Sequence, residues 1–301
     1  MRFHPGAVPS SLREEIEAFG LDYEPLVDHI LRALQEDLPE DDSVDVTSEA
    51  TIAPDARARG DFAVRHEGVV SGLAVAELVF RIVVGDDVVV TGRVPDGTRV
   101  APGDVVMVVE GPTRGLLTAE RTALNFACHL SGVSTATARW VDALEGTRAR
   151  VLDTRKTLPG FRSLQKYAVR VAGGVNHRFS LVDMALVKDN HVIAAGGVVP
   201  AYLAVRDAHP GLPIEIEVTT LDELRALLEV GCERIMLDNM STAEMTEAVE
   251  LTDGRAVLEA SGGLTLERAR EVALTGVDYI SVGALTHSVV VFDIGFDLED
   301  L

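Results

Sequence analysis

The sequence predicts two domains: an N-terminal α+β sandwich domain, followed by an incomplete parallel α/β barrel of six strands. From Ala149 onward, strand-like runs alternate with helical patterns, which is typical of right-handed βαβ units around a parallel sheet. Before Ala149, strands, helices and turns follow one another without that alternation. We expect the first domain to comprise residues 1–129 and the returning segment 288–301, and the barrel to comprise residues 130–287.

The composition is that of a globular protein, with 47% apolar and 25% charged residues in 301. No apolar run reaches the ~18 to 20 residues that span a bilayer, and the N-terminal residues lack the apolar stretch of a signal peptide. We therefore expect a soluble cytoplasmic protein. The two cysteines, Cys128 and Cys232, are far apart and have no metal-ligand spacing, which favours two buried thiols.

The formal net charge of −21 argues against nucleic acid and anionic membranes as partners, because both bind to positive surfaces. The acidity is compatible with adaptation to high salt and equally with genome composition. The sequence leaves both explanations open.

In the first domain, residues 1 to about 20 read as a loose arm, and a helix with one apolar face follows Asp22 as its N-cap. The acidic stretch at 36–47 reads as a loop. Residues 60–111 read as a short strand, a helix and two apolar strands separated by Pro-Gly and Pro-Asp-Gly turns. A long helical region spans 115–144, and we expect Gly132 to interrupt it.

In the second domain, six short apolar runs read as the barrel strands. They are RVLDT (150–154), ALVKD (185–189), IEIEV (214–218), RIMLD (234–238), AVLEAS (256–261) and YISVG (279–283). Helical patterns begin near Leu221, Ser241 and Thr265. The segment after His287 is strand-like and has no following helix, so we expect it to pack on the first domain.

A basic window from Arg155 to Lys188 contains every lysine of this acidic chain, and its only acid is Asp183. Charge runs are usually solvated helix faces. The alternative is a pocket for a compact polyanion, because arginine forks and lysine point charges bind phosphates and carboxylates.

Polar groups or glycines follow all six predicted strands, and active sites of parallel barrels lie at the C-terminal strand ends. We therefore expect these residues to meet at one mouth. They are Arg155 and Lys156, Lys188 and Asp189, Glu217, Asp238 with Asn239, Ser261 to Gly263, and Gly283. The glycines of SGGLT let backbone N–H groups approach a phosphate, and Gly283 is placed to complete such a cradle.

Two acids and one arginine each admit more than one interpretation. Glu217 and Asp238 suit ribose hydroxyls, a magnesium ion that escorts pyrophosphate, or a developing cation, but Glu217 shares a strand face with Glu215, so one of that pair can be structural. Arg121 falls on the apolar stripe of its predicted helix. It is either a salt-bridged, snorkelling arginine or an anion ligand carried by a packed helix.

Residues 31–297 resemble the quinolinate phosphoribosyltransferases, the carboxylating nicotinate-nucleotide pyrophosphorylases of NAD biosynthesis. The resemblance is carried by ERTALNF (120–126), DTRKTLPGFR (153–162), KYAVRVAGGVNHR (166–178), LVKDNH (186–191), IEVT (216–219), MLDNM (236–240), EASGGL (259–264) and ISVGALTHS (280–288). It implies that quinolinate and phosphoribosyl pyrophosphate (PRPP), with Mg²⁺, yield nicotinate mononucleotide, pyrophosphate and CO₂.

The resemblance also implies roles for individual residues and a homodimer, leaving open any higher oligomer. It implies catalytic roles for Lys156, Lys188, Glu217 and Asp238. It implies substrate binding by Arg121, Arg155, Thr157, His177, Arg178, Ser261, Gly262, Gly263, Val282, Gly283 and Ala284. In this family Arg121 is expected to enter the partner's site, and Mg²⁺ is expected to be held mainly by PRPP near Glu217 and Asp238.

The sequence departs from the family pattern at Leu158 and Phe161, in its longer acidic loop, and in its apolar C-terminal segment. These differences touch no charged site residue, so they bear on substrate affinity more than on reaction class. Two rivals stay open: a related transferase acting on another small ring acid, and a non-catalytic protein that binds sugar phosphates. The order of substrate binding and the rate-limiting step are not addressed by the sequence.

Overall fold

In the computed structural model, residues 3–4, 8–40 and 42–301 are described. The chain forms two compact units. Unit 1 contains the described residues up to Ala136 together with Ser163–Ala172 and Val289–Leu301, and unit 2 contains Thr137–Arg162 and Gly173–Ser288. Within the predicted N-terminal arm, residues 1–2 and 5–7 lie outside the described residues, and Ser10–Ala18 forms a helix.

The helices and strands follow one another along both units. The helices are α1 (Ser10–Ala18), α2 (Tyr23–Asp37), α3 (Val46–Thr51), α4 (Leu73–Val84), α5 (Thr113–Ala143), α6 (Arg162–Val171), α7 (Asp189–Ala195), α8 (Val198–Ala208), α9 (Leu221–Glu229), α10 (Thr242–Thr252), α11 (Ala269–Ala273) and α12 (Ala284–His287). The strands are β1 (Arg57–Val64), β2 (Gly68–Val69), β3 (Val89–Thr91), β4 (Arg99–Val100), β5 (Val105–Pro112), β6 (Arg150–Leu152), β7 (Ala185–Val187), β8 (Ile214–Val218), β9 (Arg234–Asp238), β10 (Val257–Ser261), β11 (Tyr279–Ser281) and β12 (Ile294–Asp300).

Unit 1 is built on a four-stranded antiparallel sheet in the order β12-β1-β5-β3. The C-terminal strand β12 pairs with β1 from Ala58 opposite Asp300 to Val64 opposite Ile294. The rings of Phe62, Phe80 and Phe296 pack together on the buried face. This antiparallel sheet with its helices confirms the predicted α+β domain.

Helix α5 is continuous through Gly132, so the predicted interruption there is wrong. A Cβ atom at Gly132 would lie 2.4 Å from the carbonyl oxygen of Val290, and the amide of Phe292 donates to the carbonyl of Cys128 at 3.0 Å. The glycine therefore serves the close passage of the C-terminal segment over the helix rather than a break in it.

The acidic stretch at 36–47 overlaps the end of α2 at Asp37 and the start of α3 at Val46, so the predicted loop is shorter than expected; Asp41 within it lies outside the described residues. The side chain of Asp45 accepts hydrogen bonds from the amides of Thr47 and Ser48, both at 3.1 Å. This N-cap starts a helix of only six residues, which is too short to show a periodic apolar face in the sequence.

Unit 2 contains one six-stranded sheet of parallel strands in the order β6-β11-β10-β9-β8-β7. All six predicted strands are present, and β6 and β7 stand at its two edges, so the barrel is open, as predicted. Thr220 and Ser241 begin α9 and α10 with capping boxes. Strand ends and helix starts consequently line the same edge of the sheet.

The predicted basic window is divided between the units. Residues Ser163–Ala172, predicted as part of the 130–287 domain, pack in unit 1. Tyr167 donates to Asp96 at 2.5 Å, Lys166 is buried, and Arg170 donates to the carbonyl of Phe19. The window is therefore not a single anion pocket, because the apolar face of α6 places Lys166 and Arg170 in the packing of unit 1.

No helix formed by the described residues combines the length and the apolar character needed to cross a membrane.

Candidate active site

Two adjoining pockets open at the C-terminal ends of the unit 2 strands. They share Thr154, Lys156, Lys188, Glu217, Ser261 and Ser281. The first is further lined by Arg155, His177, Arg178, Leu186, Met236 and Glu259. The second is further lined by Asp189, Asp238, Asn239, Gly262, Gly263, Leu264, Val282, Gly283, Ala284 and His287. Every lining residue belongs to unit 2.

Arg155 and Arg178 place two guanidinium groups in the first pocket. Arg155 follows β6, and its Nε is buried and finds no hydrogen-bond partner among the residues the structure describes. Arg178 donates from Nη1 to the carbonyl of Met184 at 2.9 Å. Burial, and then the charge of Arg155, lower the pKa of Arg178. The two guanidinium groups repel each other, and Nε of Arg155 is an unused donor. This arrangement is suited to an anion that carries more than one negative charge.

Lys156 and Lys188 stand where the two pockets meet. The amide of Lys156 donates to Oγ1 of Thr154 at 3.0 Å, and its carbonyl accepts from Thr286 at 2.8 Å, so its main chain is held on both sides. A Cβ atom at Gly283 would lie 3.0 Å from Cδ of Lys156, so the lysine side chain lies over that glycine. Nζ of Lys188 pairs with Glu217.

The glycine loops form one wall of the second pocket, as predicted. Gly262 has φ +94°, and a Cβ there would lie 2.3 Å from Oδ1 of Asn239. Asn239 is itself left-handed, with φ 55°, and its amide donates to the carbonyl of Ser261 at 2.9 Å. The ends of β9 and β10 are thus locked together, and Gly262 exposes main chain where a side chain would not fit.

The acidic side chains of the site differ in how deeply they are buried. Glu217 ends β8 near the mouth, and Asp238 ends β9 and accepts from Nδ2 of Asn239 at 3.0 Å. Glu215, two residues before Glu217 on the same strand face, is fully buried. The alternation seen in the sequence therefore separates a carboxylate at the mouth from one inside the barrel.

His177 lies at the base of the first pocket with both ring nitrogens directed at protein groups. Nδ1 accepts from the amide of Arg178 at 2.7 Å. Nε2 lies 2.9 Å from Oε2 of Glu215 and 3.5 Å from Oε2 of Glu259. Its predicted contact with substrate stays a prediction.

Two predicted site residues do not line either pocket. Thr157 accepts from Nε of Arg162 at 3.2 Å. Arg121 belongs to unit 1, and its side chain is 67% exposed beside Glu120, so its placement on a buried apolar stripe is wrong. The solvent-facing positions Arg121 and Asn125 are one helical turn apart, and the buried stripe of α5 runs beside them.

Sequence reasoning missed several lining residues, among them Thr154, Met236, Glu259 and Ser281. Strand alternation could have found two of them, since Met236 and Glu259 precede Asp238 and Ser261 by two residues on the same strand faces. Thr154 and Ser281 carried no such signal.

Known proteins resemble this chain in both sequence and fold. The family descriptions "Quinolinate phosphoribosyl transferase, N-terminal domain" and "C-terminal domain" match residues 45–131 and 133–297. A nicotinate-nucleotide pyrophosphorylase [carboxylating] from Mycobacterium leprae is 53% identical over 90% of this chain and 96% of its own length.

Two solved structures agree with this assignment. NadC from Streptococcus pyogenes superposes with a TM-score of 0.88 at 37% identity, covering 93% of this chain and 99% of its own. The nicotinate-nucleotide pyrophosphorylase from Francisella tularensis gives 0.86 at 34% identity, covering 92% and 96%. The chain belongs to the quinolinate phosphoribosyltransferase family.

Proposed function

We propose that this chain transfers the phosphoribosyl group of PRPP to quinolinate with loss of CO₂, giving nicotinate mononucleotide and pyrophosphate. The observation that carries this proposal is the convergence, at one barrel mouth, of paired arginines with a glycine cradle. The two features suit the two substrates separately, since one substrate carries two ring carboxylates and the other carries phosphates.

Quinolinate fits the first pocket by charge. Its two carboxylates would take the unused Nε of Arg155 and relieve the repulsion between Arg155 and Arg178. Leu186 and Met236 supply apolar surface for the ring. A ring with one carboxylate would leave part of this positive charge without a counter-ion, which favours the dicarboxylate over the rival ring acids.

PRPP fits the second pocket. The main chain at Gly262, Gly263 and Gly283 can approach the 5′-phosphate closely, and Glu217 and Asp238 can accept hydrogen bonds from ribose hydroxyls. Lys156 and Lys188 lie where the pyrophosphate would leave. Six residues of these loops, Ser261 to Gly263 and Val282 to Ala284, carry the proposed phosphate contacts.

Magnesium fits this second pocket as a companion of the substrate. Glu217 and Asp238 offer carboxylate oxygens, but two side chains leave most of the six positions of Mg²⁺ to pyrophosphate oxygens and water. Bound there, the ion would neutralise charge on the departing pyrophosphate. The protein residues nearest to it would hold its position rather than form a complete cage.

The chain contributes positioning and electrostatics to the chemistry. As the ribose C1–O bond breaks, positive charge grows on the sugar carbon and negative charge on pyrophosphate, next to Glu217 and to Lys156 respectively. The ring nitrogen of quinolinate then forms the new bond to the ribose carbon and becomes a pyridinium. The C–CO₂ bond electrons pass to that ring, CO₂ leaves, and the ring carbon takes up a proton.

The active form is proposed to be a homodimer in which Arg121 enters the partner's site. Two features of single chains support it. Arg121 is exposed on an otherwise largely buried helix. In unit 2, α7 has no buried residue, and large apolar side chains near it are strongly exposed, with Leu181 at 65%, Val182 at 81% and Ile193 at 77%. Such a surface is typical of one that a second subunit covers.

The decisive experiment measures labelled CO₂ released from carboxyl-labelled quinolinate, with PRPP and Mg²⁺ supplied together or singly. Release that requires both substrates, with nicotinate mononucleotide formed in equal amount, is expected. Absence of release from folded, dimeric protein would overturn the proposal. Tight binding of nicotinate without competition by quinolinate would favour the ring-acid rival, and PRPP binding without turnover of any ring acid would favour the non-catalytic rival.

A further inference from the structure

A buried cluster lies at the base of the first pocket, and two of its three members, His177 and Glu259, also line that pocket. It consists of His177, Glu215 on β8 and Glu259 on β10, and it contains two carboxylates that are fully buried. One ligand atom from each of the three side chains lies within 4.8 Å of the other two. Two ionised carboxylates so close in a dry interior would repel each other strongly.

The position of the protons follows from the contacts of His177. Its Nδ1 accepts the Arg178 amide at 2.7 Å and so carries no proton. The ring is therefore neutral, with its single proton on Nε2, which faces Oε2 of Glu215 at 2.9 Å. An imidazolium would place a second proton against the Arg178 N–H, so the ring cannot neutralise the two acids by charge.

Repulsion between two carboxylates this close in a dry interior then favours one more proton on the pair. Arg234 on β9 reaches Oε1 of Glu215 at 3.5 Å and supplies one positive charge. Glu259 is the neutral member, because Nε2 of His177 lies closer to Glu215 than to Glu259, and Arg234 forms its ion pair with Glu215.

We propose that Glu259 is a positioning residue for the reaction: as a neutral acid it donates to Glu215, which orients His177 and, through Nδ1, holds the Arg178 main chain at the substrate pocket. Arg178 stands one residue from His177 and lines the pocket with its guanidinium. In this proposal the interactions run from Glu259 to Glu215, whose nearest ligand atoms lie within 4.8 Å of each other, then from Glu215 to Nε2 of His177, and from Nδ1 to the Arg178 amide. The cluster thereby also keeps net negative charge away from a pocket built for an anion.

The titration of the acids agrees with this arrangement. Burial raises the pKa of Glu259 well above that of an ordinary glutamate, and the charge of Glu215 raises it further. The titratable and charged groups that face the pair are His177, Arg178, Arg234 on β9, and Cys232, which precedes β9.

The inference rests on the proposed function only for its kinetic readout. The first test is therefore made on unliganded wild-type protein by ¹⁵N NMR of the histidine rings, with His177 assigned by comparison with His177→Gln. We expect a neutral ring at pH 7 with the proton on Nε2. A ring protonated on Nδ1, or on both nitrogens, would overturn the proposal whatever the enzyme does with quinolinate. A stoichiometric metal ion in the purified protein would overturn it too.

The second test compares Glu259→Gln with Glu259→Leu. Glutamine keeps the size and can still donate to Glu215, so kcat should stay within about threefold of wild type. Leucine removes the donor, and kcat/KM for quinolinate should fall by roughly tenfold or more while KM for PRPP changes little. Glu250→Leu, at an exposed position on α10, is the matched control and should change neither constant. Equal kinetic effects of the two Glu259 substitutions would overturn the proposal.

The third test measures the pH dependence of unfolding. It needs no catalytic activity, so it can be made even if neither Glu259 variant turns over substrate. An ordinary glutamate loses its proton near pH ~4.3 in the unfolded chain, while folded Glu259 keeps it to higher pH. Wild-type stability should therefore fall with rising pH relative to Glu259→Gln, by up to about tenfold in the unfolding constant per pH unit. A pH-independent ratio between pH 5 and pH 8 would contradict a neutral Glu259. If wild type has no transferase activity but passes the NMR and unfolding tests, the proposed function fails and the proton assignment stands.

Discussion

Nζ of Lys188 lies 2.7 Å from Oε1 of Glu217, across the C-terminal ends of the adjacent strands β7 and β8. The lysine side chain is 48% exposed, and the pair sits at the mouth of the pocket. An ion pair of this exposure adds little stability, because water screens it and two side chains lose freedom to form it. Under the proposed function, we expect the pair to keep a cation and an anion where the sugar would develop charge.

Lys188→Ala should therefore separate stability from catalysis. The free energy of unfolding should change by less than about 1 kcal/mol, while kcat falls by roughly 100-fold or more because a charge opposite the leaving pyrophosphate is lost. Urea unfolding and steady-state kinetics measure the two effects. Arg206→Ala removes a cation of similar exposure, 49%, from a surface pair with Asp207 and should alter neither quantity. A stability loss that accounts for the lost activity would contradict this role.

Arg155→Met should make the unliganded protein more stable and unable to recognise quinolinate. The substitution removes a buried Nε without a partner among the described residues and relieves Arg178, which should add about 1 kcal/mol to the free energy of unfolding. Thermal unfolding with and without quinolinate tests both the stability and the binding. Quinolinate should raise the Tm of wild type and leave the Tm of the variant unchanged. Arg150→Met, at the exposed start of β6, should keep the ligand-induced shift. A variant that still responds to quinolinate would remove Arg155 from the binding site.

Gly262→Ala and Gly263→Ala form a matched pair. Both positions have positive φ, +94° and +58°, but a Cβ at Gly262 would meet Asn239 at 2.3 Å, whereas one at Gly263 has no atom within 4 Å. Alanine at 263 should cost about 1 kcal/mol of stability, the penalty of a left-handed residue. Alanine at 262 should cost more and raise KM for PRPP by roughly tenfold, because it displaces Asn239 from the loop wall. Equal effects at the two positions would show that backbone strain, and not the contact, matters.

Asp183 should make stability depend on pH in the acid range. Burial acts to raise its pKa, but hydrogen bonds from the amide of Phe179 and from Ser180 outweigh burial and lower the pKa to about 2. The unfolded value is ~3.9, so the stabilisation is complete above pH ~4 and is lost as the pH falls toward 2. Asp183→Asn should cost about 1 kcal/mol at pH 7, discounted for exposure, and less at pH 3. Asp222→Asn, an exposed acid paired with Arg225, controls for general charge effects. A cost for Asp183→Asn that is equal at both pH values would exclude the carboxylate as its source.

Arg121→Ala tests the sharing of sites between subunits. An exposed arginine contributes little to folding, so the free energy of unfolding should change by less than about 0.5 kcal/mol. Turnover should nevertheless be abolished. Mixed with Lys156→Ala chains, it should recover up to about a quarter of wild-type activity, because half of the random dimers carry one intact site. Verified mixed dimers without activity would show that Arg121 serves the pocket of its own chain, or none.

The local sequence pattern was sufficient to predict the parallel sheet and to place most of the pocket residues at its C-terminal edge. Each barrel strand is a short apolar run closed by a polar residue or glycine, and parallel strands bring those ends to one edge. Lys156, Lys188, Glu217 and Asp238 could thus be placed together from sequence.

Errors arose where distant packing outweighed local signals. Gly132 lowers helix propensity, yet it lies inside α5 because the C-terminal segment passes over it. Lys166 shares a basic window with pocket residues, but the apolar positions of α6 place it in the packing of unit 1. Strand alternation could place Glu259 in the pocket, but its closeness to Glu215, which lies two strands away in the sheet, depends on the fold.

The pairing of β12 with β1 has a consequence for synthesis of the chain. Val64 leaves the ribosome early, whereas its neighbour Ile294 follows all of unit 2, so one side of β1 has no partner while the barrel is being made. An unpaired strand edge is a template for aggregation. Nascent chains halted within unit 2 would expose that edge, so chaperone capture of such chains should depend on β1 and end once β12 is released.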